Sequence, residues 1–261
     1  MFDLAALDGA LAGTVFAGKL HFSPVTDSTN TDALAAARSG APAGSVFFAD
    51  EQLAGRGRGD HQWHSAAGEG LYVSVLLRPQ IPALRLPLLP LAAGLAAAEA
   101  IRAVTGLTVD LRWPNDILLD EHKAGGILVE ARTSGGAVDF AVVGIGINVH
   151  QDAFDPELAT PATSLDLAAG RPIGRQKLLV SLLKSLEREA AGLLDPAAGA
   201  TIPARVEQAS SWIRGRRVEV HGPQACTGVT AGLDEHGFLL VGTADGLVTV
   251  QTGGIRAAQT N

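Results

Sequence analysis

Cysteine is almost absent: Cys226 is the single one in 261 residues. An intrachain disulfide framework and a cysteine-rich zinc site are thereby excluded, and a reducing, cytoplasmic compartment is expected. Charge is also scarce, at 18% of residues against roughly 25% in an average soluble protein, while hydrophobic residues reach 47%. A chain this apolar has the material to bury a sizeable core, so long-range disorder is excluded. There is no basic excess: 20 Lys+Arg face 27 Asp+Glu, a net charge of −7. Proteins that coat nucleic acid usually carry the opposite sign. Long apolar runs are missing too. The stretch 86–98 falls short of the ~20 residues that span a bilayer, and Pro87 and Pro90 interrupt it. Asp3 and Asp8 stand where a secretory signal would carry lysines, so no signal peptide is expected.

What is present reads as two units. Residues 2–11 have apolar positions at helical spacing, and 19–25 alternates as a strand does. Asp27-Ser28-Thr29-Asn30 is a cluster of N-cap residues ahead of an alanine-rich helix. Residues 45–50 and 71–78 are strands separated by a long glycine-rich loop, a length that is usually functional or disordered. A helix over 91–104 ends at Gly106. Strands follow at 109–113, 116–119, 126–132 and 138–149, then an amphipathic helix over 176–194 with Lys184, Glu187, Arg188 and Glu189 on its polar side. From about Trp212, short strands at 217–220, 228–233, 238–241 and 247–251 suggest a small barrel. The expected architecture is α+β, with a mixed sheet and helices over 1–211 and a β-barrel appendage over 212–261.

Four segments carry chemistry. In Gln52-Leu53-Ala54-Gly55-Arg56-Gly57-Arg58-Gly59, glycines permit close backbone approach, and an extended run would turn Arg56 and Arg58 to one side as an anion site. No Gly-Lys-Ser/Thr follows, so this is not a Walker loop; a flexible surface loop or an RNA-binding Arg-Gly stretch are the alternatives. In Arg112-Trp113-Pro114-Asn115-Asp116, the proline breaks the ladder and leaves Asn115 and Asp116 between strands, for a polar ligand or as an Asx turn. Lys123, followed by Gly125 and Gly126, either meets a ligand or is a solvated hairpin lysine. Gly144-Ile145-Gly146-Ile147-Asn148 places glycines in an apolar strand, marking close approach or a bulge.

Taken together, Asp27-Ser28-Thr29-Asn30, the Gln52–Arg58 segment with Trp63, Trp113-Pro114-Asn115-Asp116, Lys123 with Gly125-Gly126-Ile127-Leu128-Val129-Glu130, and Gly144–Asn148 resemble the biotin protein ligase family, also called biotin–[acetyl-CoA-carboxylase] ligases. The pieces stand in the family's order over residues 27–148. The resemblance implies a class II synthetase-like, biotin–lipoate ligase catalytic domain with a small SH3-like C-terminal barrel. It also implies a two-step reaction: biotin and ATP give biotinyl-5′-AMP, and a lysine of a biotin carboxyl carrier protein or domain of acetyl-CoA carboxylase takes the biotin. Magnesium is expected with ATP, and no protein metal site is assigned; His61 and His64 lack a ligand pattern and read as loop residues.

By resemblance, Lys123, Arg56, Arg58 and Asp116 are catalytic. Ser28, Thr29, Gln52, Gly55, Arg56, Gly57, Arg58, Lys123, Gly125, Gly126, Gly144 and Ile147 bind biotin, while Arg56, Trp63, Asn115, Asp116, Lys123 and Asn148 bind the nucleotide. The segment 151–163 is expected to act as a lid, or else to be a plain surface connection. Two departures stand out: Gly59-Asp60-His61-Gln62 weakens the positive charge before Trp63, and Arg112 replaces a lysine common in the family. Only 26 residues precede Asp27, so a ligase without a DNA-binding module is expected, as a monomer or weak homodimer and with no membrane partner. A lipoate- or octanoate-transferring relative, and a nucleic-acid-binding protein using the Arg-Gly loop and Arg214, Arg216 and Arg217, are the alternatives.

Overall fold

The computed structural model describes residues 2–59 and 61–258. Its first elements are α1 (Leu4–Ala10), β1 (Leu20–Thr26), α2 (Thr29–Arg38), β2 (Val46–Gln52) and β3 (Gly70–Leu77). A 3-10 turn at Ala83–Arg85 leads into α3 (Leu88–Thr105), and β4 (Asp110–Arg112), β5 (Asp116–Leu119), β6 (His122–Ser134) and β7 (Ala137–Asn148) follow. Next come α4 (Leu165–Ala169), α5 (Arg175–Leu194), α6 (Pro196–Gly199) and α7 (Ile202–Gln208). The last elements are β8 (Arg214–His221), β9 (Cys226–Leu233), β10 (Leu239–Thr243), β11 (Gly246–Val250) and β12 (Gly254–Ala257).

Seven strands form one mixed sheet in the order β1-β2-β3-β7-β6-β5-β4, and β8 to β12 form a separate antiparallel sheet in the order β11-β10-β9-β8-β12. Only β1 and β2 run parallel; the other neighbours in the large sheet are antiparallel. The architecture is therefore α+β, with a mixed sheet, helices and a smaller C-terminal β unit.

Because side chains alternate across a pleated strand, each strand feeds two layers. Val73, Val75, Val143, Ile145 and Ile147 point into the main core, which they share with α3 and α5. Ala33 and Ala37 of α2 close a smaller cluster on the opposite face with Leu76, Phe140 and Val142. Helix α3 is long and apolar enough by length and composition to cross a membrane, yet it lies against the sheet and α5. Its alanines let it pack closely there, and Gly106 ends it with φ +82°.

The amphipathic pattern over 176–194 misplaces one residue. Glu189 is buried, because Arg205 of α7 reaches over it with two hydrogen bonds of 2.8 and 2.5 Å. A buried carboxylate needs such a partner, and only the tertiary packing supplies it. Strand β12 has no counterpart in the sequence reading: of its four residues only Ile255 is buried, too little for a period-two signal.

Candidate active site

On the face of the large sheet that carries α2, register brings one row together: Tyr72 opposite Gly146, Gly146 opposite Gly126, Gly126 opposite Asp116, and Asp116 opposite Arg112. A second row sets Ser74 opposite Gly144 and Gly144 opposite Leu128. The glycines make a trough in an otherwise filled surface. A Cβ at Gly146 would lie 2.5 Å from Trp63 Nε1, and one at Gly144 would collide with Asn30 Oδ1. Trp63 thus lies over the trough, its buried Nε1 without a hydrogen-bond partner among the described residues.

Trp63 arrives there on a hairpin. Gln52 N–H donates to the Ser65 carbonyl, Trp63 N–H to Gly55 and Gly57 N–H to His61, at 3.1, 2.9 and 2.7 Å. Gly55 is required, since any Cβ would strike the Trp63 carbonyl. The chain bends at Arg58 and turns at Gly59, where φ is +66°. The period of two therefore stops at Gly57, and Arg56 and Arg58 do not face one side together as the extended reading has it. Arg56 makes a two-pronged bond to Glu130 of β6, at 3.1 and 2.6 Å. Arg58 donates to the Gly253 carbonyl and Thr252 Oγ1 of the second sheet's β11–β12 connection, at 2.5 and 2.9 Å. Burial draws the Arg58 pKa down, and the nearby Asp116 charge opposes that. Asp60, part of the departure Gly59-Asp60-His61-Gln62, lies outside the described residues.

Asp116 is the electrostatic hub. One oxygen is 2.5 Å from Lys123 Nζ; the other accepts from Arg112 Nε at 3.0 Å and Nη2 at 2.6 Å. Burial alone would push this carboxyl up, but Lys123 and Arg112 together hold it below the usual carboxylate range. Lys123 also lies 5.7 Å from the centre of the Trp63 ring.

At the other end of the trough a buried polar line begins. Gln52 Oε1 accepts from the Thr29 backbone and hydroxyl at 2.9 and 3.1 Å, and Gln52 Nε2 donates to Ser65 Oγ at 2.8 Å. Thr29 Oγ1 lies 2.7 Å from Ser74 Oγ, which donates to Asn30 Oδ1 at 2.6 Å; Asn30 Nδ2 donates to Glu130 at 2.9 Å. Ser28 sits at the N-cap of α2 but makes no side-chain cap bond.

Comparison with known proteins places this arrangement. Residues 22–148 match the model of the biotin/lipoate A/B protein ligase family. The bifunctional ligase/repressor BirA of Escherichia coli is 31% identical over 94% of this chain and 75% of its own length. The biotin–[acetyl-CoA-carboxylase] ligase of Mycobacterium tuberculosis is 35% identical over 88% of this chain and 85% of its own. The chain belongs to the biotin/lipoate A/B protein ligase family. Against the bifunctional ligase/repressor BirA of Bacillus subtilis, 40% identical, the match spans 53% of that protein's length. A biotin protein ligase from Aquifex aeolicus, solved in complex with biotin and ATP, superposes with a TM-score of 0.78 at 30% identity, covering 92% of this chain and 98% of that one.

Of the residues that family resemblance nominates, Thr29, Gln52, Trp63, Asp116, Lys123, Gly126 and Gly144 converge on the trough, and Gly146, not nominated, lies among them. Others do not. Ile147 is wholly buried in the main core, on the face opposite Gly146, and Gly125 faces the same way, toward Ile117. Asn115 spends its side-chain amide on the Ile127 carbonyl at 2.9 Å. Buried Asn148 donates to the Thr163 carbonyl at 3.0 Å, fastening the 151–163 segment, whose far end is already joined to Lys123: Lys123 N–H donates to Pro161 and Thr163 N–H to Lys123, at 2.7 and 3.0 Å. Glu130, Asn30, Ser65, Ser74, Thr252 and Gly253 escaped assignment. Ser74 had a readable signal, a lone small polar side chain within the apolar run Leu71–Leu77; the contacts from Thr252 and Gly253, almost 200 residues beyond Arg58, had none.

Proposed function

We propose that the chain is an ATP-dependent ligase that activates biotin as biotinyl-5′-AMP and transfers it to one lysine of a biotin carboxyl carrier protein or domain. The supporting observation is a local charge surplus. Among the described residues around the trough, Arg56, Arg58, Arg112 and Lys123 meet only Asp116 and Glu130, so cations outnumber carboxylates there by two in a chain of net charge −7. Such a surplus suits a step that brings two anions together.

In that step a biotin carboxylate oxygen attacks the α-phosphorus of ATP, the new P–O bond forms and pyrophosphate leaves. Lys123 neutralises the carboxylate and α-phosphate, and Arg58 the phosphates. Gln52 and Thr29, already aligned by hydrogen bonds, read the ureido ring, and Gly126 and Gly146 let the ligand lie on the sheet once the Trp63 ring moves off them. In the second step the carrier lysine's amine attacks the acyl carbon and AMP departs. A carboxyl held below its usual range is a weak base, so Asp116 orients the amine rather than keeping its proton.

Magnesium enters as the partner of the nucleotide phosphates, taking most of its ligands from substrate and water. Among the described residues no three His, Cys, Asp or Glu side chains come together as a metal cage. The basic stretch offered to nucleic acid is largely spent internally: Arg214 pairs with Glu207 and Arg216 with Glu121.

Incubating the chain with biotin, magnesium-ATP and a carrier domain, then reading the carrier's intact mass, tests the proposal. One biotinyl addition per carrier, abolished when the carrier lysine is replaced by arginine, is expected. An unmodified carrier beside fully folded enzyme would refute it.

A further inference from the structure

Arg112 is a buried cation at the end of an edge strand, 8% exposed. The rest of the site does not account for its surroundings. Its Nε and Nη2 both donate to one oxygen of Asp116, leaving the other to Lys123. Nη2 also donates to Thr160 Oγ1, in the 151–163 segment, at 3.0 Å. The guanidinium lies 5.1 Å from the centre of the Trp212 ring, and the Arg216 guanidinium lies 3.7 Å from the same ring. Strand β4 itself is stitched to the chain just before Trp212: Leu111 N–H donates to the Ala209 carbonyl at 2.9 Å, Ser210 Oγ to the Leu111 carbonyl at 2.5 Å, and Ser211 N–H and Oγ to Asp110 at 2.8 and 2.6 Å.

We infer that Arg112 is a positioning residue for the transfer step: held by Trp212 and Thr160, it fixes the Asp116 carboxylate so that one oxygen stays turned toward Lys123 and the incoming amine. A planar fork can chelate one oxygen, donate sideways and stack on an indole at once; an ammonium matches the charge but not the plane. The arginine at this position, where the family often has lysine, is therefore a specific device for locking the carboxylate. Among the described residues, the charged groups facing Asp116 are Lys123 from β6, Arg112 from β4 and Arg58 from the hairpin. Lysine in place of the fork keeps the charge and the burial but gives up one of the two hydrogen bonds to the carboxylate, so the Asp116 titration moves upward.

The role assigned to transfer rests on the proposed ligase activity; the hold on Asp116 does not. The test compares the wild-type chain with Arg112→Lys, Asp116→Asn, the double variant and Lys123→Gln. The Asp116 carboxyl is titrated by 13C NMR, and single-turnover transfer from purified biotinyl-5′-AMP is followed across pH. Arg112→Lys is expected to raise the Asp116 titration and to carry the acid limb of transfer with it. Transfer should slow by about 10- to 100-fold, as for a small misplacement of a reacting group, and the double variant should be no slower than Asp116→Asn alone. Lys123→Gln, which removes the charge that lowers Asp116 most, should raise the titration further than Arg112→Lys does. An unmoved titration with equal slowing at every pH, or losses that multiply in the double variant, would overturn the inference. If the wild-type chain transfers no biotin, the ligase proposal falls, and the Asp116 titration still decides the role of Arg112.

Discussion

Lys123 is the residue on which most of the site's electrostatics depend. Its ammonium is 2.5 Å from Asp116 and faces the Trp63 ring, so without ligands its charge is already engaged. Binding two anions exchanges that ion pair for contacts that strengthen as charge moves onto the bridging oxygen, which is where electrostatic catalysis acts. Lys123→Gln is expected to slow adenylation by about 10²–10³, roughly 3–4 kcal/mol, measured as formation of biotinyl-5′-AMP, while biotin affinity changes much less. Equal losses in binding and rate would mean that Lys123 only holds the substrate. At this scale the sequence was most informative where a residue's chemistry is unusual for its place. Lys123 ahead of two glycines, and Asp116 after Pro114, both reach the site. Ile147 and Gly125 did not, because a strand apolar on both faces does not reveal which side its pleat presents.

At the scale of elements, β7 decides where the site lies. Val142, Val143, Ile145 and Ile147 are buried on its two faces, while Gly144 and Gly146 leave openings that Asn30 and Trp63 enter. Gly144→Ala would place a methyl group against the Asn30 amide, which is fixed by Ser74 and Glu130 and cannot move without breaking both bonds. Overpacking of this kind costs about 1–3 kcal/mol, a loss expected in the urea midpoint at unchanged slope. Stability equal to wild type would show that Asn30 is free to shift. Element type was legible throughout the large sheet, since short apolar runs and turn residues such as Ser134-Gly135-Gly136 are local signals. The hairpin geometry of 52–65 was not, because it depends on where the chain bends at Arg58, and nothing within a run of glycines and arginines says so.

For the whole molecule, the second sheet is tied into the site through Arg58 and through Trp212. Its β11–β12 connection accepts both hydrogen bonds from Arg58, and Trp212, just before β8, carries the Arg112 and Arg216 guanidiniums. Neither link is readable from sequence, since both join residues about 100 or more positions apart and the partners are a backbone carbonyl, a hydroxyl and a ring. The five motif pieces, by contrast, lie within 27–148, and the strand order of the large sheet folds them onto one face. The measurement that tests the account most directly is ATP–pyrophosphate exchange by the intact chain, with biotin or lipoate as the only added acid. Exchange that requires biotin, is not supported by lipoate and fails in Lys123→Gln is the expected result; exchange driven by lipoate, or none with either acid, would contradict it.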